Sequence, residues 1–98
     1  MNKPEYFKNI QEAILKTHGV QSSHIETAHV HETFESKTVW NGDVEVFSVE
    51  HKQASKCYAW AYEEDGKTEF IAVLGLPPVD TPQKAVQAYI VGQFKKKS

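Results

Sequence analysis

The run Cys57-Tyr58-Ala59-Trp60-Ala61-Tyr62 alternates small and large residues one for one. Only an extended strand turns such a run into two distinct faces, one bulky and one nearly smooth. A smooth face lets a helix pack close, and a bulky aromatic face needs a partner. A chain organised around this strand is built on a sheet. Its function turns on what covers the aromatic side.

The rest of the chain predicts the other elements. Residues 3–18 carry Phe7, Ile10 and Ile14 at spacings of three and four, with Ala13 beside them, which makes the single apolar stripe of an amphipathic helix. Pro4 suits its first turn and Gly19 the position just past its end. From Ile25 to Leu76 the hydrophobic period falls to two, with Ala28, Val30 and Phe34 on one face and His29, His31 and Thr33 on the other. The span from Glu26 to Trp40 exceeds a typical strand of about 5 to 6 residues, so it breaks near Glu35-Ser36-Lys37.

Asn41-Gly42 can be read as a hairpin turn or as a bulge within one strand from Thr38 to Glu50 with a kink at Gly42. The bulge is preferred, because a turn there would leave only a few residues after the break at Glu35-Ser36-Lys37. Asp65-Gly66 is a turn joining Lys56–Glu63 to Thr68–Leu76. Phe70-Ile71-Ala72-Val73-Leu74 is apolar on both faces, so something must lie over each side of the sheet there. Pro77-Pro78 ends this strand, and Thr81 and Pro82 open a second helix, to about Phe94, with Ala85, Val86, Tyr89, Ile90 and Phe94 on one face.

The expected fold is therefore α+β: an N-terminal helix, an antiparallel meander of three to four strands and a C-terminal helix, with both helices packed on one sheet face. Residues 1–94 form the domain and 95–98 a lysine-rich tail. A length of 98 residues suits one core, and 40 % apolar with 24 % charged residues is ordinary globular composition. No stretch approaches the length of a membrane span. The start of the chain lacks the pattern of a secretory signal, and the single Cys57 cannot form an internal disulfide, so the expected location is the cytoplasm.

Charge narrows the function classes. Setting aside Lys95, Lys96 and Lys97 leaves eight lysines against thirteen acids, a net of −5, and the chain contains no arginine. Arginine supplies the planar fork used in phosphate and guanine recognition, so nucleic-acid binding by the body is disfavoured. No glycine-rich phosphate loop, nucleophile elbow or His-Glu-x-x-His pattern occurs, and no motif pairs Cys57 with a base. The expectation is a non-enzymatic domain with no cofactor.

His29 and His31 share a strand face about 7 Å apart, and with Cys57, Glu32 or His51 they could hold a metal, though local spacing does not supply a zinc ligand set. A small-ligand or metal-binding domain is thus one alternative. The leading expectation is a protein-interaction domain, as a homodimer or a docking subunit. Two helices on one face would leave the other sheet face to a partner, contacted through Trp40, Tyr58, Trp60 and Tyr62, because tyrosine and tryptophan join a large apolar body to a polar tip.

Two resemblances bear on the chain. Its helix–meander–helix order, with Lys84-Ala85-Val86-Gln87-Ala88 opening the last helix, resembles the double-stranded RNA-binding domain. That resemblance implies a nucleic-acid-binding alternative, but the family's paired lysines reduce to Lys84 and its Gly-Pro-x-His loop is missing. The segments Val39-Trp40-Asn41-Gly42-Asp43-Val44-Glu45-Val46-Phe47, Cys57-Tyr58-Ala59-Trp60 and Leu76-Pro77-Pro78-Val79 are similar to a family of small bacterial proteins of uncharacterised function. This second likeness implies a single bacterial cytosolic domain and no particular activity.

Overall fold

A computed structural model of the chain describes residues 3–97, with side chains from Pro4 to Gln93. Helix α1 spans Lys3–His18 and ends where the Gly19 N–H, at φ 71°, donates to Leu15 O at 2.8 Å. Strands β1 (Ser22–Phe34), β2 (Lys37–Val49), β3 (Lys56–Glu64) and β4 (Lys67–Leu74) form one antiparallel meander in the order β1-β2-β3-β4. Helix α2 spans Pro82–Lys97. It is capped by the Thr81 hydroxyl, which accepts from the Lys84 N–H at 3.1 Å.

Two-residue turns set the hairpins. Glu35 and Ser36 have φ of 52° and 67°, and Asp65 and Gly66 have φ of 53° and 77°. Paired positive φ values match the right-handed twist of the flanking strands. Asn41-Gly42 makes no turn: these residues pair with His31 and Val30 inside β2. The irregularity in β2 falls at Val39, between Trp40 opposite Glu32 and Thr38 opposite Thr33, and a second one falls at Ile25 of β1.

The expectation that both helices share one sheet face is corrected. Phe47, Val49, Cys57 and Ala59 pack with Ile10 and Ile14 of α1, joined by Tyr6, Phe7, Phe70, Ala72 and Leu74. Val44, Val46, Tyr58 and Trp60 pack with Ala85 and Val86 of α2, joined by Trp40, Ile71, Val73, Tyr89 and Ile90. Adjacent residues of β2, β3 and β4 thus enter different clusters, so the helices lie on opposite faces and the sheet is the middle of three layers. The cause is the sequence of the inner strands. Small residues on one side and aromatic ones on the other are both apolar, and leaving either side bare would cost roughly 25 cal/mol for each Å² of apolar surface.

The sheet is not fully zipped. The β2–β3 ladder runs only over Glu45–Ser48 and Lys56–Ala59. Beyond it, the first part of β2 pairs with β1 alone and the last part of β3 with β4 alone. The outer strands are guarded by helix side chains, a common defence of exposed edges. Gln11 donates to Ser22 O at 2.8 Å, Gln83 donates to His31 O at 3.4 Å, and His18 donates to Ala72 O at 3.0 Å.

Candidate interaction surface

Tyr58 and Trp60 are each 2 % exposed, so the heart of the aromatic stripe is core and not a docking face. The Trp60 ring stands edge-on to Trp40 at 5.5 Å and to Tyr89 of α2 at 5.4 Å. Trp40 and Tyr62 remain half-buried at the margin of this layer. Trp40 folds back over Gly42, where an added Cβ would lie 3.4 Å from the indole. The partner that the bulky face requires is therefore α2 of the same chain.

The histidines are engaged separately. His29 Nδ1 lies 3.1 Å from Asp43 Oδ1, both side chains more than half exposed, and His31 Nε2 lies 2.9 Å from Thr38 Oγ1. Of the groups that could have joined them around a metal, Glu32 is held by Gln83 and by Gln87, the latter at 3.0 Å. His51 accepts from the Gln53 N–H at 3.0 Å, and Cys57 is fully buried beneath α1. Among the described residues, no group of three or more His, Cys, Asp or Glu side chains is placed to hold a metal ion. Burial pushes the Cys57 thiol pKa up to about 12, which leaves no thiolate near neutral pH.

A polar cluster that the sequence reading did not single out lies under α1. Glu45, 1 % exposed, accepts from His24 Nε2–H at 2.8 Å and from the Thr27 hydroxyl. The His24 ring stacks on Phe7 of α1 at 3.9 Å and meets the edge of Phe47 at 5.2 Å. Nearby, the Tyr6 hydroxyl is pushed above its ordinary pKa by burial and then by the Glu45 charge. This cluster docks α1, and it contains no nucleophile aimed at open space.

Among the described residues, one groove gathers several of the exposed large apolar side chains. A groove of about 310 Å³ runs between the end of the β1–β2 hairpin and α2, lined by Glu32, Phe34, Val39, Gln87, Ile90 and Val91 among others. Phe34 is 57 % exposed, Val39 38 % and Val91 51 %. Val39 occupies the bulge position of β2, which is why a strict period of two did not mark it as surface. A groove of about 410 Å³ beside Tyr62, Tyr89 and Gln93 is lined by Glu63 and Glu64 and is mainly polar. The groove of about 430 Å³ at Val20 is lined otherwise by Glu50–Gln53 of the loop after β2. No helix among the described residues is long and apolar enough to cross a membrane.

No family model, curated protein or solved structure matches the chain.

Proposed function

We propose that this chain is a non-enzymatic protein-interaction domain that docks through the hairpin groove and not through its aromatic stripe. The observation that carries this reading is the clustering of Phe34, Val39 and Val91, three of the six large apolar side chains exposed among the described residues, around one groove. Large apolar side chains scattered singly need no explanation, but a contiguous patch with polar neighbours fits a contact surface. The polar neighbours are in place: Gln83 and Gln87 of α2 hold the Glu32 carboxylate beside the groove.

Site-specific photo-cross-linking in the producing cell tests it. A benzophenone side chain in place of Val91 is expected to yield a discrete cross-linked protein, and the same group in place of Leu15, exposed on α1, is expected not to. Equal labelling at both positions, or none at Val91, overturns the reading.

A further inference from the structure

We propose that the inner edge of β3 at Ala61–Glu63 takes up an extended, lysine- or arginine-bearing segment of another protein, whose cationic side chain enters the groove lined by Tyr62 and Tyr89. This site is separate from the hairpin groove and shares no lining residue with it.

The first argument is the backbone. Ser55 O accepts from the Val49 N–H of β2, and Lys56 O accepts from the Gly75 N–H just past β4. Hydrogen bonding alternates along a strand, so odd-numbered residues of β3 address β2 and even-numbered ones address β4. The ladder to β2 ends at Ala59, while pairing with β4 continues without a shift to Glu64. Ala61 and Glu63 thus direct backbone groups to a side where β2 no longer pairs. The Ala61 N–H donates to the Tyr6 hydroxyl. The Ala61 carbonyl and both backbone groups of Glu63 have no ladder partner, and such an edge selects an extended backbone that matches its spacing.

The second argument is the chemistry beside that edge. The groove of about 410 Å³ is lined by three consecutive residues of β3, Tyr62, Glu63 and Glu64, and by Tyr89 and Gln93 of α2. Residues 62–69 carry Glu63, Glu64, Asp65 and Glu69 against Lys67, a net of −3. Among the described residues, none of these four acids is in an ion pair. The Tyr62 hydroxyl feels the same field: desolvation, then the Glu64 charge, raises its pKa. Tyrosine rings beside carboxylates favour a cation. In a segment paired with Glu63, the residues on either side of the paired one point to the face of Tyr62 and Glu64, which brings an ammonium or guanidinium to the groove.

Nuclear magnetic resonance titration of the isotope-labelled full chain with the peptide acetyl-Thr-Lys-Val-Lys-Thr-amide tests this. Saturable shifts at the amides of Ala61–Glu64 and around Tyr89 and Gln93 are expected, with a dissociation constant of about 1 mM or tighter. Glu63→Gln combined with Glu64→Gln, both at exposed positions, is expected to weaken binding by about fivefold with the thermal midpoint little changed. The same peptide methylated on its backbone nitrogens keeps its charges but cannot donate to the edge, and it is expected not to bind. A peptide with glutamate in place of lysine is expected not to bind either. Because Lys95, Lys96 and Lys97 closely follow Gln93 in sequence, the titration is repeated with all three changed to serine, and binding at least as tight is expected.

Absence of saturable shifts overturns the inference, as does equal binding of the methylated or the glutamate peptide. So does a glutamine double variant that binds like the parent, or loss of binding in the serine variant. Shifts at Val39, Ile90 and Val91 instead would move the basic segment to the hairpin groove and overturn the β3 site alone.

Discussion

Trp40 meets Trp60 edge to face, with ring centroids 5.5 Å apart and planes at 73°. This contact joins two hairpins that no longer share hydrogen bonds, because the β2–β3 ladder has ended at Glu45 and Ala59. Side-chain packing under α2 thus takes over from the backbone in holding the open end of the sheet. Trp60→Ala is expected to destabilise the chain by about 3–5 kcal/mol, read as a fall in the urea midpoint. Trp40→Ala, at a half-buried position, should cost distinctly less. A Trp60→Ala variant as stable as the parent would contradict its place in the core.

Cys57 separates burial from reactivity. Its thiol pKa is raised to about 12 by desolvation, from an ordinary value of 9.0. In the folded chain it should resist iodoacetamide at pH 8 and react fully once urea unfolds the protein. Because the folded pKa is the higher one, the native state keeps its proton where the unfolded chain has lost it. Stability is then fully present below pH 9 and declines as pH rises from there toward 12, by at most about 1.4 kcal/mol per pH unit from this group. Rapid labelling of native protein would show that α1 does not cover this position.

Gly75 and Gly42 make a matched pair of tests. A Cβ at Gly75 would sit 3.0 Å from the Lys56 carbonyl oxygen and 3.3 Å from the Tyr58 ring, while the Gly75 N–H donates to that same carbonyl at 2.7 Å. Gly75→Ala must therefore push β3 and the end of β4 apart, at about 1–3 kcal/mol. At Gly42 the nearest atom is a Trp40 ring carbon at 3.4 Å, an ordinary contact, so Gly42→Ala should shift stability by less than about 1 kcal/mol. Thermal melts of the two variants give the comparison directly, and the reverse order of cost would contradict it.

How legible the chain was depends on how local the physics is. Helix α1 and its stop at Gly19 followed from apolar spacing and one residue tolerant of positive φ, and the Asp65-Gly66 turn followed the same way. The turn at Glu35-Ser36 was placed by strand length, although neither residue is a glycine. The bulge near Gly42 fell instead at Val39, because a bulge depends on how two strands register and not on the conformational freedom of one residue. The layer arrangement was missed for a different reason. Periodicity in β3 and β4 marked two apolar faces, but which helix covers which face is decided between elements distant in sequence. The exposed hairpin groove and the buried Glu45 depend on the same long-range pairing, so neither was visible in local patterns.

The pairing of Glu45 with His24 yields the last test. Glu45 is the one charged residue in the buried set among the described side chains, and a carboxylate so placed is tolerable only when donors reach it. His24 and Thr27, both on β1, are such donors, and Phe7 stacked on the imidazole brings α1 into the same unit. Removing His24 alone leaves the carboxylate short of a donor, so His24→Ala should cost about 3 kcal/mol. Glu45→Ala removes the buried charge but leaves a cavity beside Phe47. Once Glu45 is gone, His24→Ala has less to lose. The double variant should therefore cost less than the sum of the singles, by about 1–3 kcal/mol. Urea melts of the four proteins measure that coupling. A Phe7→Ala variant should in turn weaken protection of the α1 amides more than those of α2, by hydrogen exchange. Strict additivity of the two single changes would mean that the His24–Glu45 contact contributes nothing to the seating of α1.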